Sequence, residues 1–248
     1  MGHHKRPRQF VQTASRPLLD SKTLKPSHLT FLDYVVYGAG RRLSMLGEQL
    51  GWHWLTYNPI HFRSFHEAAL RNAPTAARVM VEHFPAARTY LDVGAGTGVF
   101  SAELNRLGVS ATACEHSTTG RRLAIRQGVD CRPLDLAVPP YASVADKYDV
   151  AFCFEVAEHL PQLLGGNLVT FLSTHSDTVV FTAAQPGQGG TGHINEQPKS
   201  YWIQAFQNEG MGVAEQATLA ISDAFRLAQI PGRYLADNLL VFHRQRPC

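Results

Sequence analysis

One short segment constrains the fold of this chain more than any other: residues 91–98, which read LDVGAGTG. An apolar strand that runs into glycines and then into a helix makes a tight turn at the carboxyl edge of a sheet. Glycine permits positive φ angles there and lets a ligand touch the backbone, while the helix N-terminus offers free N–H groups. The segment therefore predicts a strand–loop–helix unit of a nucleotide-binding α/β domain.

The rest of the chain after residue 85 repeats this strand-then-helix order. Apolar runs predict strands at 89–93, 109–114, 129–134, 148–154 and 178–183. Helical spacing predicts helices at 101–107, 118–127, 159–173 and 198–208, and two last strands follow near 212–220 and 234–244. Together these elements predict a Rossmann-like α/β fold with a seven-stranded, mostly parallel sheet and an antiparallel C-terminal strand.

The residues before 85 have a different character. The first nine are polar and basic, and we interpret them as a solvated tail, with a weak anion contact as the alternative. Helical spacing from 64 to 84 predicts a helix that Pro74 divides or starts. We therefore predict a tail and N-terminal helical cap in residues 1–84 and a ligand-binding domain in residues 85–248.

Composition narrows the class of protein. Hydrophobic residues make up 44% of the chain and charged residues 17%, which is typical of a packed globular core and not of a disordered chain. The net charge of +3 argues against a surface built for nucleic acid. We found neither a membrane-length apolar run nor a secretory h-region, and the four cysteines are scattered, so we predict a cytoplasmic chain in a reducing compartment without a membrane partner.

Carboxylates stand at the ends of the first three predicted strands. Asp92 precedes the glycines, Glu115 ends the second strand, and Asp135 follows the third. A carboxylate at the second strand end can accept both hydroxyls of a ribose, and one at the third can accept the exocyclic amine of adenine; for Asp135 a simple turn residue is the alternative. So much negative charge suits a cationic nucleoside without phosphates, whereas a dinucleotide site would avoid it.

Two blocks then resemble a known family. Residues 91–98 resemble motif I of the class I S-adenosylmethionine-dependent methyltransferases, and residues 148–160, YDVAFCFEVAEHL, resemble that family's fourth strand and the Glu-His segment after it. The ending NLLVF at 238–242 adds to a resemblance that covers about residues 90–244. It implies S-adenosylmethionine as cofactor. The cofactor-binding residues that it implies are Asp92, Gly94, Ala95, Gly96, Glu115, His116, Asp135, Leu136, Phe154 and Glu155.

Within that resemblance, Asp92 anchors the ammonium group of the cofactor and the backbone of Gly94 and Gly96 faces its methionine part. Glu115 holds the ribose. The other two sets lie at later strand ends: Asp135 and Leu136 flank adenine, and Phe154 and Glu155 line the pocket at the end of the fourth strand.

The methyl acceptor needs a group that removes a proton, and two histidines qualify. His193 lies in the glycine-rich loop 185–196 after the fifth predicted strand, and histidine titrates near neutral pH. A structural loop histidine is the alternative. His159, inside the Glu-His segment, is the second candidate for catalysis, and Glu158 ranks below both, as a substrate contact.

An N-terminal segment often covers the cofactor in this family, so the resemblance also implies substrate contacts at Tyr57, His61, Arg63 and Phe65, with core packing as the alternative for each. We found no C-x-x-C motif and no metal-type histidine and aspartate spacing, so no metal is predicted. The pair Asp237-Asn238 is interpreted as a turn.

The sequence thus predicts an enzyme that methylates a small-molecule hydroxyl, on a natural product or a sugar-like metabolite, with a histidine base. RNA or protein as acceptor is the first alternative, against which stand the mild charge and the FEVA at 154–157, where an Asn-Pro-Pro-Tyr-type segment would be needed. A nicotinamide-dependent oxidoreductase is the second, but its G-x-G-x-x-G spacing places the third glycine one residue later. A relative that binds the cofactor without transfer is the third.

Overall fold

The computed structural model describes residues 59–145 and 147–245, with side chains from residue 65 onward. Its strands are β1 Thr89–Val93, β2 Ser110–Glu115, β3 Asp130–Pro133, β4 Val150–Phe154, β5 Thr178–Thr182, β6 Met211–Val213 and β7 Leu240–Arg244. Its helices are α1 Pro59–His83, α2 Val99–Arg106, α3 Thr118–Arg126, α4 Gln162–His175, α5 Lys199–Asn208, α6 Glu215–Leu227 and α7 Arg233–Asp237, with a single 3-10 turn at Ala157–His159.

The seven strands form one sheet in the order β3-β2-β1-β4-β5-β7-β6. The first five in that order run parallel, and β7 pairs antiparallel with both β5 and β6. This confirms the predicted Rossmann-like sheet with its antiparallel C-terminal strand. Since β1 pairs with β2 on one side and with β4 on the other, the direction in which successive strands are added to the sheet reverses there, and the crevice above the carboxyl ends of β1 and β4 is the expected ligand site.

Both faces of the sheet are buried, which explains the apolar character of its central strands. On one face, Phe181 packs with Trp202 and Phe206 of α5. On the other face, Phe152 belongs to a cluster with Met80 of α1 and Phe225 of α6. The two layers hold the strand ends in a fixed arrangement, so side chains at the carboxyl edge are well positioned.

Two of the predicted strands were partly wrong. Of residues 212–220, only the beginning belongs to β6, and the rest lies in α6. Ile221 and Phe225 stand one helical turn apart and are both fully buried, so this stretch follows a helical repeat and not an alternating one. Residues 233–237 likewise form α7, and β7 begins only at Leu240.

The predicted break at Pro74 was also wrong, because α1 continues through it. Pro74 faces solvent, whereas Ala73, Ala77 and Met80 on the other side of the helix are buried in the core. That packing stabilises the helix despite the hydrogen bond that proline removes. Helix α4 starts later than predicted, after Pro161, which restricts the residue before it to extended backbone.

The predicted division at residues 84 and 85 stays a prediction, because the cap before residue 59 lies outside the described part of the chain. Helix α1 itself contacts α2 and α6. None of the helices within residues 59–145 and 147–245 combines the length and apolar character needed to cross a bilayer.

Candidate active site

The glycine loop after β1 combines a tight turn with an open surface. Gly94 and Gly96 have φ angles of 79° and 56°, and the N–H of Gly94 donates to the carbonyl of Cys114 at 2.8 Å. A Cβ added at Gly94 would lie 2.5 Å from Cγ2 of Val156, whereas one added at Gly96 would meet no described atom within 4 Å. Gly94 is therefore required by packing, and Gly96 faces the space in which a ligand can approach the backbone.

We expect Gly94→Ala to destabilise the protein by more than about 2 kcal/mol, because it adds a clash with a stiff β-branched side chain to left-handed backbone strain. Gly108→Ala is the matched control: its φ is 86°, but the added Cβ meets no described atom within 4 Å, so only the strain of about 1 kcal/mol applies. Urea unfolding of both variants measures the difference. Equal losses would contradict the role of Val156 in this turn.

Two buried carboxyl groups flank this loop. Asp92 accepts a hydrogen bond from the hydroxyl of Ser101 at 2.7 Å, and Glu115 accepts from the N–H of Gly96 at 2.7 Å and of Ser117 at 2.6 Å. Burial raises the pKa of Asp92 to about 7, with a further contribution from Glu115, and burial also raises the pKa of Glu115. Both groups favour a ligand that brings positive charge and hydrogen-bond donors.

A contact that the sequence did not predict joins helix α1 to the same loop. His66 Nδ1 and the hydroxyl of Thr97 are hydrogen-bonded at 3.0 Å. Burial lowers the pKa of His66, which favours the neutral ring. The only sequence signal for His66 was its position at the end of residues 51–66, a segment rich in aromatic residues and histidine. The contact places the first helix beside the glycine loop, where it can cover a ligand.

The predicted adenine and ribose contacts lie at the ends of β2 and β3, which pair through Glu115 and Pro133. Asp135 is exposed and accepts a hydrogen bond from the N–H of Ala137 at 2.9 Å, a turn geometry that leaves its second oxygen available. Leu136 is buried, and exposed His116 is hydrogen-bonded through Nδ1 to the carbonyl of Leu134 at 2.9 Å. Their roles toward a ligand stay predictions.

The end of β4 carries a fixed carboxylate. Glu155 has a φ of 53°, and its N–H donates to the hydroxyl of Thr182 at 3.0 Å. Its oxygens accept from the amide of Asn238 at 3.0 Å and from that of Gln188 at 3.2 Å. The preceding Phe154 packs edge-on against Phe100. Asn238, which the sequence analysis interpreted as a turn residue, thus orients Glu155 from the short link between α7 and β7.

Behind this carboxylate, three predicted residues come together. The loop 185–196 folds back onto the 3-10 turn, where the carbonyl of Glu158 accepts from the N–H of Ile194 at 2.8 Å and of Asn195 at 3.0 Å. The rings of His159 and His193 stand edge to face, 4.9 Å apart. One possible ligand atom from each of Glu158, His159 and His193 lies within 4.8 Å of the others, an arrangement that can hold a metal ion. The sequence predicted no metal site, because His193 joins this cluster only through the path of its loop.

Glu158 is the unusual member of the cluster. Its side chain is 0% exposed, and neither carboxylate oxygen has a hydrogen-bond partner among the described residues. Burial, with a contribution from the charge of Glu155, raises the pKa of Glu158 to about 9.

His193 has a partner that the sequence analysis missed. Its Nδ1 lies 2.8 Å from Oε1 of Glu196, and this carboxylate also accepts from the N–H groups of Gly187 at 2.8 Å and Gly189 at 2.7 Å. The hydrogen bond from His193 lowers the pKa of Glu196. Since a carboxylate can only accept, the neutral ring carries its proton on Nδ1 and presents the lone pair on Nε2.

Of the predicted N-terminal substrate contacts, the structure locates one. Tyr57 and the side chains of His61 and Arg63 lie outside the described residues. Phe65 is 37% exposed, and its ring centre is 6.3 Å from that of His159. Phe65 therefore lies beside the histidine cluster, as a substrate contact would.

Part of the chain is similar to a known family of domains. Residues 68–181 match the family model of the methyltransferase domain. A 76-residue stretch is 33% identical to the ubiquinone biosynthesis O-methyltransferase of Aeromonas salmonicida (strain A449), covering 29% of this chain and 32% of that protein. The chain thus spans about a third of the length of this curated relative.

Solved structures of similar fold include two other methyltransferases. The sugar N-methyltransferase KedS8 from Streptoalloteichus sp ATCC 53650 aligns with a TM-score of 0.54 at 16% identity, covering 94% of this chain and all of that one. Magnesium protoporphyrin IX methyltransferase from Synechocystis PCC 6803, with bound S-adenosylhomocysteine, aligns at 0.52 and 15% identity, covering 69% and 83%. At these identities the alignments support the fold.

Proposed function

We propose that this chain transfers a methyl group from S-adenosylmethionine to a hydroxyl group of a small molecule, since residues 68–181 match the family model of a methyltransferase domain. The observation that carries the proposal is the pair of buried carboxyl groups, Asp92 and Glu115, on either side of a glycine loop with open space at Gly96. This pair lies at the point of the sheet where strand order reverses.

The residues around the loop fit the cofactor. The cofactor supplies a methyl group bound to a positively charged sulfur, and the sulfur is a good leaving group. Asp92 pairs with the ammonium group, and the positive charge lowers the cost of ionising this buried acid. Glu115 binds the ribose hydroxyls, and its bonds to the N–H groups of Gly96 and Ser117 hold it in place for that role. Asp135 and Leu136 flank the base from the end of β3.

On the acceptor side, His193 removes the proton. Its Nδ1–H bond to Glu196 fixes the ring and leaves Nε2 to receive the hydroxyl proton, and the carboxylate stabilises the imidazolium that forms. His159 is hydrogen-bonded through Nδ1 to the carbonyl of Gly192 at 3.1 Å, so it positions the loop that carries His193. Phe65 provides an apolar wall for the acceptor.

The charges of the described site favour a small molecule over the alternatives. Asp92, Glu115, Glu155 and Glu196 are acidic, and such a site repels the phosphates of RNA and the pyrophosphate of a nicotinamide cofactor. The curated relative acts as an O-methyltransferase, which agrees with a hydroxyl acceptor. The sugar N-methyltransferase aligns in fold over 94% of this chain, so we take a sugar-like acceptor as the substrate class to test first.

Calorimetry tests the cofactor assignment directly. We expect S-adenosylhomocysteine to bind at one site with a micromolar Kd, and NAD not to bind, because the two buried acids oppose its pyrophosphate. Glu115→Ala should weaken S-adenosylhomocysteine binding at least tenfold, whereas Glu103→Ala, in α2 and ion-paired with Arg106 of the same helix, should leave it unchanged. Binding of NAD without S-adenosylhomocysteine would overturn the proposal.

A further inference from the structure

We propose that the cluster of Glu158, His159 and His193 is a binding site for a divalent transition-metal ion, with one carboxylate and two imidazoles as ligands. The binding of the ion is independent of methyl transfer. Only the role of the ion in activating the acceptor hydroxyl rests on the proposed function. One ligand atom from each side chain lies within 4.8 Å of the other two, so an ion at the centre is reached by small side-chain rotations.

The hydrogen bonds of the two histidines favour ligation. His159 Nδ1 is bonded to the carbonyl of Gly192 at 3.1 Å, and His193 Nδ1 to the carboxylate of Glu196 at 2.8 Å. Both partners only accept, so each Nδ1 carries the proton and each Nε2 has the lone pair that a metal ion needs. Metal-binding histidines typically have their second nitrogen held by a carbonyl or carboxylate in this way, which fixes the ring and makes it a better donor.

The third ligand is a buried acid that lacks a partner. Glu158 is 0% exposed, and its two carboxylate oxygens make no hydrogen bond to any described residue. A buried carboxyl group in this state is costly, and a cation within ligand distance removes that cost. Glu155, fixed close by through Asn238 and Gln188, adds negative charge without being needed as a ligand.

The donor set also selects the ion. Two imidazoles and one carboxylate suit Zn²⁺, Fe²⁺, Co²⁺ or Ni²⁺, and they leave coordination positions open. Mg²⁺ prefers oxygen ligands in a strict octahedron and is expected to bind more weakly here. In the ion-free site His193 Nε2 acts as base. In the ion-bound site it would be a ligand, and the ion would favour the ionised form of a hydroxyl group at an open position, with the proton passing to solvent.

The test measures binding on the full chain after chelator treatment and dialysis, without cofactor or acceptor. Calorimetry with Zn²⁺ should give a one-to-one site that Mg²⁺ does not fill at tenfold higher concentration. At a hundredfold excess over Kd, Zn²⁺ should raise the Tm by roughly 5 °C. Absence of Zn²⁺ binding, or binding of Mg²⁺ with equal affinity, would overturn the proposal.

Variants locate the site. Glu158→Gln keeps the shape and removes the charge, and His193→Asn removes one imidazole; each should weaken Zn²⁺ at least tenfold. His175→Asn is the control, because His175 in α4 is bonded to the carbonyl of Phe171 and lies outside the cluster. If Zn²⁺ affinity is the same in all three variants, the ion binds elsewhere and the assignment is wrong. S-adenosylhomocysteine binding, measured in parallel, reports folding and the cofactor site independently.

Discussion

Replacing His193 with alanine is expected to lower turnover by about 100- to 10,000-fold and to leave the Kd for S-adenosylhomocysteine within about threefold of the original. His193 stands on the loop after β5, and its bond to Glu196 aims Nε2 away from that carboxylate. The residues proposed to hold the cofactor, Asp92 and Glu115, belong to β1 and β2. Loss of the imidazole therefore affects the acceptor side and not the cofactor side.

Two further variants sharpen this prediction. Glu196→Gln can still accept a hydrogen bond from Nδ1 but no longer stabilises an imidazolium, so turnover should fall by about tenfold, less than for His193→Ala. His243→Ala is the control, because His243 pairs with Thr178 at the start of β5, on the opposite edge of the sheet. S-adenosylhomocysteine formation measures turnover, and calorimetry measures affinity. If His193→Ala keeps more than a third of the turnover, His193 is a structural residue of the loop.

The carboxyl edge of the sheet was predictable from the sequence because its signals are local. An apolar strand, a glycine turn and a carboxylate follow one another in residues 91–98, and Glu115 ends the next strand in the same way. Parallel strands bring such ends to one edge whatever the detailed packing. The sheet and the loop at Gly96 therefore followed from short segments.

The acceptor side depends on tertiary structure and was predicted less completely. Glu196 becomes a partner of His193 only because the glycine-rich loop turns back on itself through Gly187 and Gly189. Asn238 meets Glu155 only because β7 inserts beside β5. Glu196 stands only three residues after His193, but an irregular loop has no repeat from which to predict that the two side chains meet. Asn238 lies 83 residues from Glu155, so neither contact could be deduced from periodicity.

Replacing Asp92 with asparagine should have opposite effects on stability and on binding. Burial raises the pKa of Asp92 to about 7, so the folded chain keeps this proton at pH values where the unfolded chain has released it. Between about pH 4 and pH 7 the unfolded state binds fewer protons, and the free energy of unfolding falls as pH rises. Above pH 7 Asp92 is ionised in the folded protein, and the full energetic cost of burying its charge lowers the free energy of unfolding. Asp92→Asn removes this cost, so at pH 8 the ligand-free variant should be more stable by up to about 4 kcal/mol.

Asp149 is a control for the direction of this stability change, because its pKa is lowered and not raised. Asp149 accepts hydrogen bonds from the N–H groups of Arg88 and Thr89, which hold its pKa below the usual value. Its contribution is present above the unfolded pKa and is lost as pH falls through the lower folded pKa, so Asp149→Asn should destabilise the protein at pH 8. Urea unfolding between pH 5 and pH 8 should give a difference from the original protein that changes with pH for Asp92→Asn and stays constant for Asp149→Asn.

Binding reverses the advantage of Asp92→Asn. If Asp92 pairs with the ammonium group of the cofactor, the variant should bind S-adenosylhomocysteine at least tenfold more weakly. A ligand concentration that saturates the original protein should therefore stabilise the original protein more than the variant. At pH 8 the stability advantage of the variant should then become smaller or reverse. A stability difference that does not grow from pH 5 to pH 7 would show that Asp92 is ionised at little cost. In that case the buried acid would not be held in a strained state that a cationic ligand relieves.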